Sequence, residues 1–330
     1  MKWSWLSFLV TLAILYLAAT RLDWVSLWDA LFLIDLSLVA MGMLFWVFLM
    51  ICKGLKWKTL VGALGGKIGM WDSMKVLWIG LFVSVITPGR LGDFVRAAYV
   101  KKDLSTGGGI MAVVVDRMMD VLTLLLFATL GLLFLSQEKG INLLSPPLIL
   151  GFIIGAFVGA YLMLNRRFAR RIFPLFMRIL PPTYAQMLQK YGRQFFDSLP
   201  ALKKNTNAIF LTLLASTGAW IGSIFFGWFL LQSFGFAVPL EVALLVVPIM
   251  SLVEIIPIGV AGLGTRELAV VIVLGAYGIP PEPAVLFSLL YFTLGYIPSF
   301  LIGAWAFNTH PIPIEGGLKG LIAKYRSPRG

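Results

Sequence analysis

Apolar residues run along this chain in blocks too long and too continuous for barrel strands. A helix that crosses a bilayer needs about 20 mostly apolar residues, and its backbone polar groups must be bonded within the segment. Helices of this kind are expected at about 4–20, 31–52, 108–136, 147–164, 206–234 and 283–308. Asp35 falls inside the second of these. Two further apolar blocks are interrupted and read as broken pairs, 73–88 with 91–102 and 240–257 with 265–279. Pro248 lies inside the second pair. The pattern predicts an all-α polytopic membrane protein with about six full transmembrane helices plus two broken or re-entrant helix pairs.

The interruptions share a recipe. In Ile86–Arg96, Pro88 removes a backbone donor and Gly89 and Gly92 loosen the helix, while Arg90, Asp93 and Arg96 set charge beside apolar sequence. In Ile256–Glu267, Pro257 is followed by Gly259, Gly262, Gly264, Arg266 and Glu267.

Composition agrees with lipid as the main solvent. The 330 residues are 59% hydrophobic and 13% charged, against about 25% charged in a soluble domain, and the mean hydropathy is +0.92. The net charge of +12 gathers in three basic stretches, 53–75, 165–205 and the C-terminal tail, and no long nucleic-acid-binding motif accompanies it. Positive charge marks cytoplasmic connections, so these stretches and both termini are expected on the cytoplasmic side of a cell membrane. Residues 170–180 mix basic and bulky apolar side chains. They fit either an interfacial helix or a plain basic elbow. The apolar N-terminus is expected to be a retained helix, because Ala18-Ala19-Thr20 is a poor cleavage site.

With that topology the first broken pair begins and ends inside and the second outside. Two broken units entering from opposite faces predict an inverted repeat, with halves of about 1–164 and 165–310. The expected organisation is one transmembrane domain over 1–310 and a short basic cytoplasmic tail over 311–330.

Charges within apolar helices are costly and persist when paired or when they meet charged cargo. Asp116 and Asp120 are four apart and share a helix face, and Arg117 lies three before Asp120. The trio carries −1, so an outside cation from Arg90, Arg96 or Arg266 would complete it. It reads either as the wall of a polar cavity or as a self-neutralising packing device. Glu254 and Glu267 would balance Arg266. Helix starts near Gly89–Gly92 and Gly262–Arg266 would offer free N–H groups and a guanidinium fork to a phosphate. The plain alternative is a Pro/Gly kink with charges reaching outward. One cysteine and one histidine leave no cysteine-based metal site and no histidine triad, no phosphate-binding GxxxxGK[ST] loop is present, and no cofactor or metal is expected.

At Thr87-Pro88-Gly89-Arg90-Leu91-Gly92-Asp93-Phe94-Val95-Arg96, Val115-Asp116-Arg117-Met118-Met119-Asp120 and Pro257 through Gly262-Leu263-Gly264-Thr265-Arg266-Glu267, the chain resembles the membrane domain of lysylphosphatidylglycerol synthases and its stand-alone flippase-like relatives. Asp116 stands where that family usually has Glu, and Val260-Ala261 stand where it often has Gly-rich sequence. The resemblance implies a lipid-translocating domain without a following aminoacyltransferase domain. It also implies central-cavity roles for Arg90, Arg96, Asp116, Arg117, Arg266 and Glu267.

The expected function is transport of an anionic or aminoacylated phospholipid, or of a polyprenyl-phosphate-linked lipid, across the cell membrane. Membrane lipids are the expected partners, with a separate lipid-modifying transferase as a further one. The candidate headgroup site is Pro88, Gly89, Arg90, Gly92, Asp93, Arg96, Asp116, Arg117, Asp120, Glu254, Gly262, Gly264, Arg266 and Glu267. Rival expectations are a lipid-headgroup transferase with Asp116 or Glu254 as base, and a scaffold that presents lipid to another enzyme. No nucleophile–base pair is visible, so an enzyme is not expected.

Overall fold

A computed structural model describes residues 32, 34–86, 88–139, 182–236, 238–254 and 264–310, with scattered positions between 151 and 168; side chains at 85–91, 135–139 and 182–190 are outside that description. The helix expected at 4–20, half of 147–164, the basic stretch 170–180, the break at 256–263 with Gly262, and the tail 311–330 lie outside the described residues.

Every regular element among the described residues is helical. In chain order they are α1 (Leu36–Ala63), α2 (Met70–Ile86), a 3₁₀ segment (Pro88–Val95), α3 (Arg96–Tyr99), α4 (Thr106–Lys139), α5 (Pro182–Lys204), α6 (Thr206–Gln232), α7 (Leu240–Val253), α8 (Thr265–Gly275) and α9 (Pro281–Thr309). Three of them, α1, α6 and α9, are long and apolar enough to cross a membrane.

Local chemistry sets the ends. Asp35 is the N-cap of α1 and lies outside the helix rather than within it, because its carboxylate accepts from the Ser37 amide at 2.8 Å. Asn205 caps α6 in the same way. Pro281 starts α9 where its missing N–H would have no partner anyway. The first broken pair differs from its expected form. After α2 the chain makes an eight-residue 3₁₀ run and one turn of α-helix, not a second helix over 91–102. Such a run is long for this geometry. Gly92 explains how it fits: a Cβ there would come within 2.3 Å of the Val83 and Ser84 backbone, so the segment lies directly on α2.

Two elements depart from the hydropathy pattern. Helix α1 does not end near Cys52 but runs on to Ala63 through Lys53, Lys56 and Lys58. The stretch taken as a basic connection thus shrinks to 64–69. Its apolar positions Leu49, Trp57, Leu60 and Val61 continue at helical spacing and are buried. Helix α5 occupies part of the basic 165–205 region. Leu199 and Leu202 on it are buried, and Gln194 accepts from the Gly107 amide at 3.1 Å, which ties it to the start of α4.

Helices α1 and α6 run antiparallel: Gly42 lies against Phe226, Leu49 against Gly222 and Cys52 against Gly218. Phe45 stacks on Phe225 and Phe229. Helix α9 packs on α2, with Phe82 between Phe300 and Phe307. Helix α7 meets α4 where Gly131 touches Leu245. Small residues at such crossings let helices approach closely in a bilayer. Outward positions such as Leu44, Phe210, Ile272 and Leu301 are large, apolar and exposed, as expected for a surface that faces lipid. The interior holds two apolar clusters. One joins α1, α2, α4 and α6–α9. The other joins the end of α1, α3, the start of α4 and α5.

Candidate functional site

The charges of the first break meet in the seam between those clusters. On α1, Lys56 falls between Met50 of the larger cluster and Trp57 of the smaller. On α4, Asp116 and Asp120 lie between Val115 and Leu124 in the same way. Lys56 Nζ is 2.8 Å from Asp116 Oδ1 and 2.6 Å from Asp120 Oδ1. Arg96 Nη2 is 2.8 Å from Asp116 Oδ2 and 3.9 Å from Asp93 Oδ1. Arg117 pairs with Asp93 and lies 3.8 Å from Asp120 Oδ2.

Followed round, these contacts close a loop: Lys56, Asp116, Arg96, Asp93, Arg117, Asp120 and back to Lys56. Cation and carboxylate alternate, three of each, and the loop is neutral. All but Arg117 are buried. The Arg96 guanidinium sits over the Trp57 ring, 4.5 Å from its centroid. Asp120 Oδ1 also accepts from Ser216 Oγ and Trp220 Nε1 on α6, both at 3.1 Å. Burying a charge is tolerable when its partners are close and its remaining valences are bonded; around Lys56, Asp116 and Asp120 the partners are close, while the Arg117 corner is looser. The loop's weak links are Arg96–Asp93 and Arg117–Asp120, each longer than a charge-assisted hydrogen bond of about 2.7–2.9 Å.

A cavity of about 60 Å³ adjoins the loop, within a recess of about 750 Å³ that includes its open mouth. Lys56, Arg96, Asp116, Arg117 and Asp120 line it, joined by Lys53, whose ammonium lies 5.7 Å from the Trp220 ring. Aromatic side chains of Trp46, Trp220, Phe226, Tyr291 and Tyr296 form much of the remaining wall. At roughly 10–15 Å³ of such space per water, the cavity has room for a few waters. Arg117 Nε is buried with no hydrogen-bond partner among the described residues, which leaves a donor at the cavity edge.

The charges after the second break form a separate cluster on α7, α8 and α9. Arg266 is fully buried. Its Nη2 is 2.5 Å from Glu267 Oε1, its Nη1 is 3.4 Å from Glu254 Oε1, and its Nε donates to Ser288 Oγ at 2.9 Å. The plane lies 4.7 Å from the Phe292 centroid. Tyr296 OH donates to Glu254 Oε2 at 2.8 Å. Gly264 precedes α8 with φ of 87°, a conformation glycine takes without strain. Its N–H donates to Glu267 Oε2 at 2.6 Å, so the carboxylate also closes the helix start. Of the two clusters, the first contributes the charged lining of the cavity; the second reaches it through Tyr296.

The candidate residues are thus distributed as follows. Asp93, Arg96, Asp116, Arg117 and Asp120 come together around the cavity. Glu254, Gly264, Arg266 and Glu267 come together apart from it. Pro88, Gly89 and Arg90 start the 3₁₀ segment, and Gly92 presses on α2. The cation that completes the acidic trio is shared: Arg96 supplies one, and Lys56, absent from the candidate set, supplies the other. Lys56 falls in the basic stretch 53–75, which positive charge alone assigns to a cytoplasmic connection. The signal that identifies it is its position on the same helix face as Leu49, Lys53 and Leu60, at spacings of three and four.

Comparison with known proteins agrees with the motifs. Residues 4–303 match the family described as the lysylphosphatidylglycerol synthase TM region. A UPF0104 membrane protein of Methanocaldococcus jannaschii is 24% identical over 261 residues, covering 75% of this chain and 77% of that protein. A UPF0104 membrane protein of Pyrococcus horikoshii is 23% identical over 288 residues, covering 82% and 86%. The glycosyltransferase AglD of Haloferax volcanii is 22% identical over 280 residues, which span 76% of this chain and 45% of the longer protein. The family match takes in both broken stretches and the loop of buried charges, and the chain belongs to the lysylphosphatidylglycerol synthase transmembrane-region family of membrane proteins.

Proposed function

We propose that this protein moves a phosphate-bearing lipid across the membrane, and that the charge loop is its headgroup site. The observation that carries the reading is a set of buried arginine and lysine side chains lining a cavity while held by carboxylates. An arginine fork suits phosphate oxygens. An incoming phosphate would displace a carboxylate at one of the two long links, Arg96–Asp93 or Arg117–Asp120, and take over its cation. The released carboxylate is then available to a cationic group, as in an aminoacylated headgroup. Trp220, Tyr291 and Tyr296 offer flat faces to the rest of the headgroup.

In this reading the chain has about six spans and two broken pairs in inverted order, sits in the cell membrane with both termini cytoplasmic, and carries an anionic or aminoacylated phospholipid or a polyprenyl-phosphate-linked lipid. Likeness to a glycosyltransferase supports a lipid-linked sugar as one such cargo and a separate lipid-modifying transferase as a partner.

The test is transbilayer movement in reconstituted vesicles, read as the fraction of a labelled anionic lipid reached by an impermeant reagent. Wild-type protein should accelerate movement. Arg96→Gln should slow it on the order of ten-fold or more, the loss of a buried charge-assisted contact. Movement no faster than in protein-free vesicles for every anionic lipid tried, or full activity in Arg96→Gln, overturns the proposal.

A further inference from the structure

A second concavity lies away from the central cavity. It has a volume of about 380 Å³ and is formed by the connection after α1, the start of α2, the turn after α3 and His310, which follows α9. That volume is in the range of small-ligand sites. Three lysines line it, Lys67, Lys75 and Lys102, against two carboxylates, Asp72 and Asp103. Ile68, Val76, Ile79 and Val100 supply apolar wall.

Two features separate this pocket from an ordinary solvated basic face. First, the Lys75 side chain is only 14% exposed. Its ammonium lies 3.4 Å from Asp72 Oδ1 and 3.3 Å from His310 Nε2. Both contacts are long for a charged donor, and an ammonium has three N–H groups to place. Second, the wall is fixed: Tyr99 OH donates to the His310 carbonyl at 2.9 Å, tying α3 to the end of α9. A partly buried cation with long contacts, in a pocket with surplus positive charge, favours an anion with several acceptor oxygens.

From these features we infer that this pocket is a second anion site, built for a phosphate monoester or diester. Lys75 is its main contact, and Lys67 and Lys102 border it. The site stands independently of the transport reading. It is also placed to communicate with the charge loop, since Tyr99 is one helical turn from Arg96 on α3. The phosphate could belong to a lipid headgroup or to a soluble molecule.

The test uses the purified full chain in nanodiscs of zwitterionic lipid. Two probes, inorganic phosphate and short-chain dihexanoylphosphatidylglycerol, are followed by phosphorus NMR titration. Lys75→Gln should weaken binding about ten-fold, the loss of one charge-assisted contact. Lys102→Gln, at an exposed position with no folding risk, should weaken it about two- to five-fold. Lys203→Gln, an exposed lysine on α5, should leave it unchanged. Phosphate displaced by the lipid identifies a headgroup site; phosphate that resists displacement identifies a soluble ligand. Either result supports the pocket. No binding of either probe, or equal loss in all three variants, overturns it. Arg96→Gln should retain this binding while losing lipid movement, so the two readings fail separately.

Discussion

The two broken stretches look alike in sequence and differ in what they do with their charges. After the first break, Asp93 and Arg96 are delivered to partners 20 or more residues away on α4. There they join Lys56 in a balanced loop open to a cavity. After the second, Arg266 is held by its own neighbour Glu267, by Ser288 and by Glu254, and Glu267 also closes the start of α8. The first arrangement has two long links beside a cavity, the links that the proposed function exchanges for a ligand. The second has one long link, Arg266–Glu254 at 3.4 Å, but its shortest contact joins adjacent residues and is tied to a helix end. Similar motifs therefore line a cavity in one place and close a helix start in the other.

Removing Lys56 should have the largest effect, because it takes from two buried carboxylates the cation they share and leaves Asp120 with only the 3.8 Å Arg117 link. Lys56→Met is expected to destabilise the protein by about 3–5 kcal/mol, read as a large drop in the unfolding midpoint in detergent. A midpoint close to wild type would mean that the loop is not closed through Lys56.

A smaller effect is expected from Arg266→Lys. The substitution keeps the charge but loses the planar fork, at about 1–3 kcal/mol. Lipid movement per folded molecule should persist, whereas Arg96→Lys, at a similar cost in stability, should slow movement per folded molecule. If both variants slow movement equally, the two clusters are equivalent halves of one site and the contrast fails.

The smallest effect belongs to Asp35, the exposed cap of α1. The Ser37 hydroxyl and amide hold its carboxyl below the usual carboxylate range. A lowered folded pKa means that the contribution is present above the ordinary carboxylate value and fades as pH falls through the folded one. The difference in midpoint between wild type and Asp35→Asn should therefore shrink on acidification. A constant difference would assign the cap no ionic part.

Much of this was legible in the sequence, for a physical reason. Long apolar runs leave little choice but helix in lipid, so α4, α6 and α9 fall within a few residues of their expected bounds. Asp116, Arg117 and Asp120 stood out because charge is rare in such runs. Lys56 did not, since lysine also marks cytoplasmic connections and hydropathy alone cannot separate the two uses. Helix α5 was missed because its polar, basic composition resembles a loop, and only its packing on the start of α4 reveals it. The 3₁₀ run depends on Gly92 lying against α2, a tertiary contact with no local signature.

The separation of Lys56 from its carboxylates along the chain bears on biogenesis. Asp116 follows it by 60 residues. At about 5–20 residues per second of synthesis, several seconds pass between the emergence of the lysine and that of its partner. During that interval the far end of α1 carries an ammonium that hydrocarbon rejects. Until α4 arrives, α1 should sit shifted along the membrane normal with Lys56 at the headgroups, and capture by Asp116 and Asp120 then draws it to its final depth. Completion of α4 is thus the point at which the first helix of the described structure becomes seated.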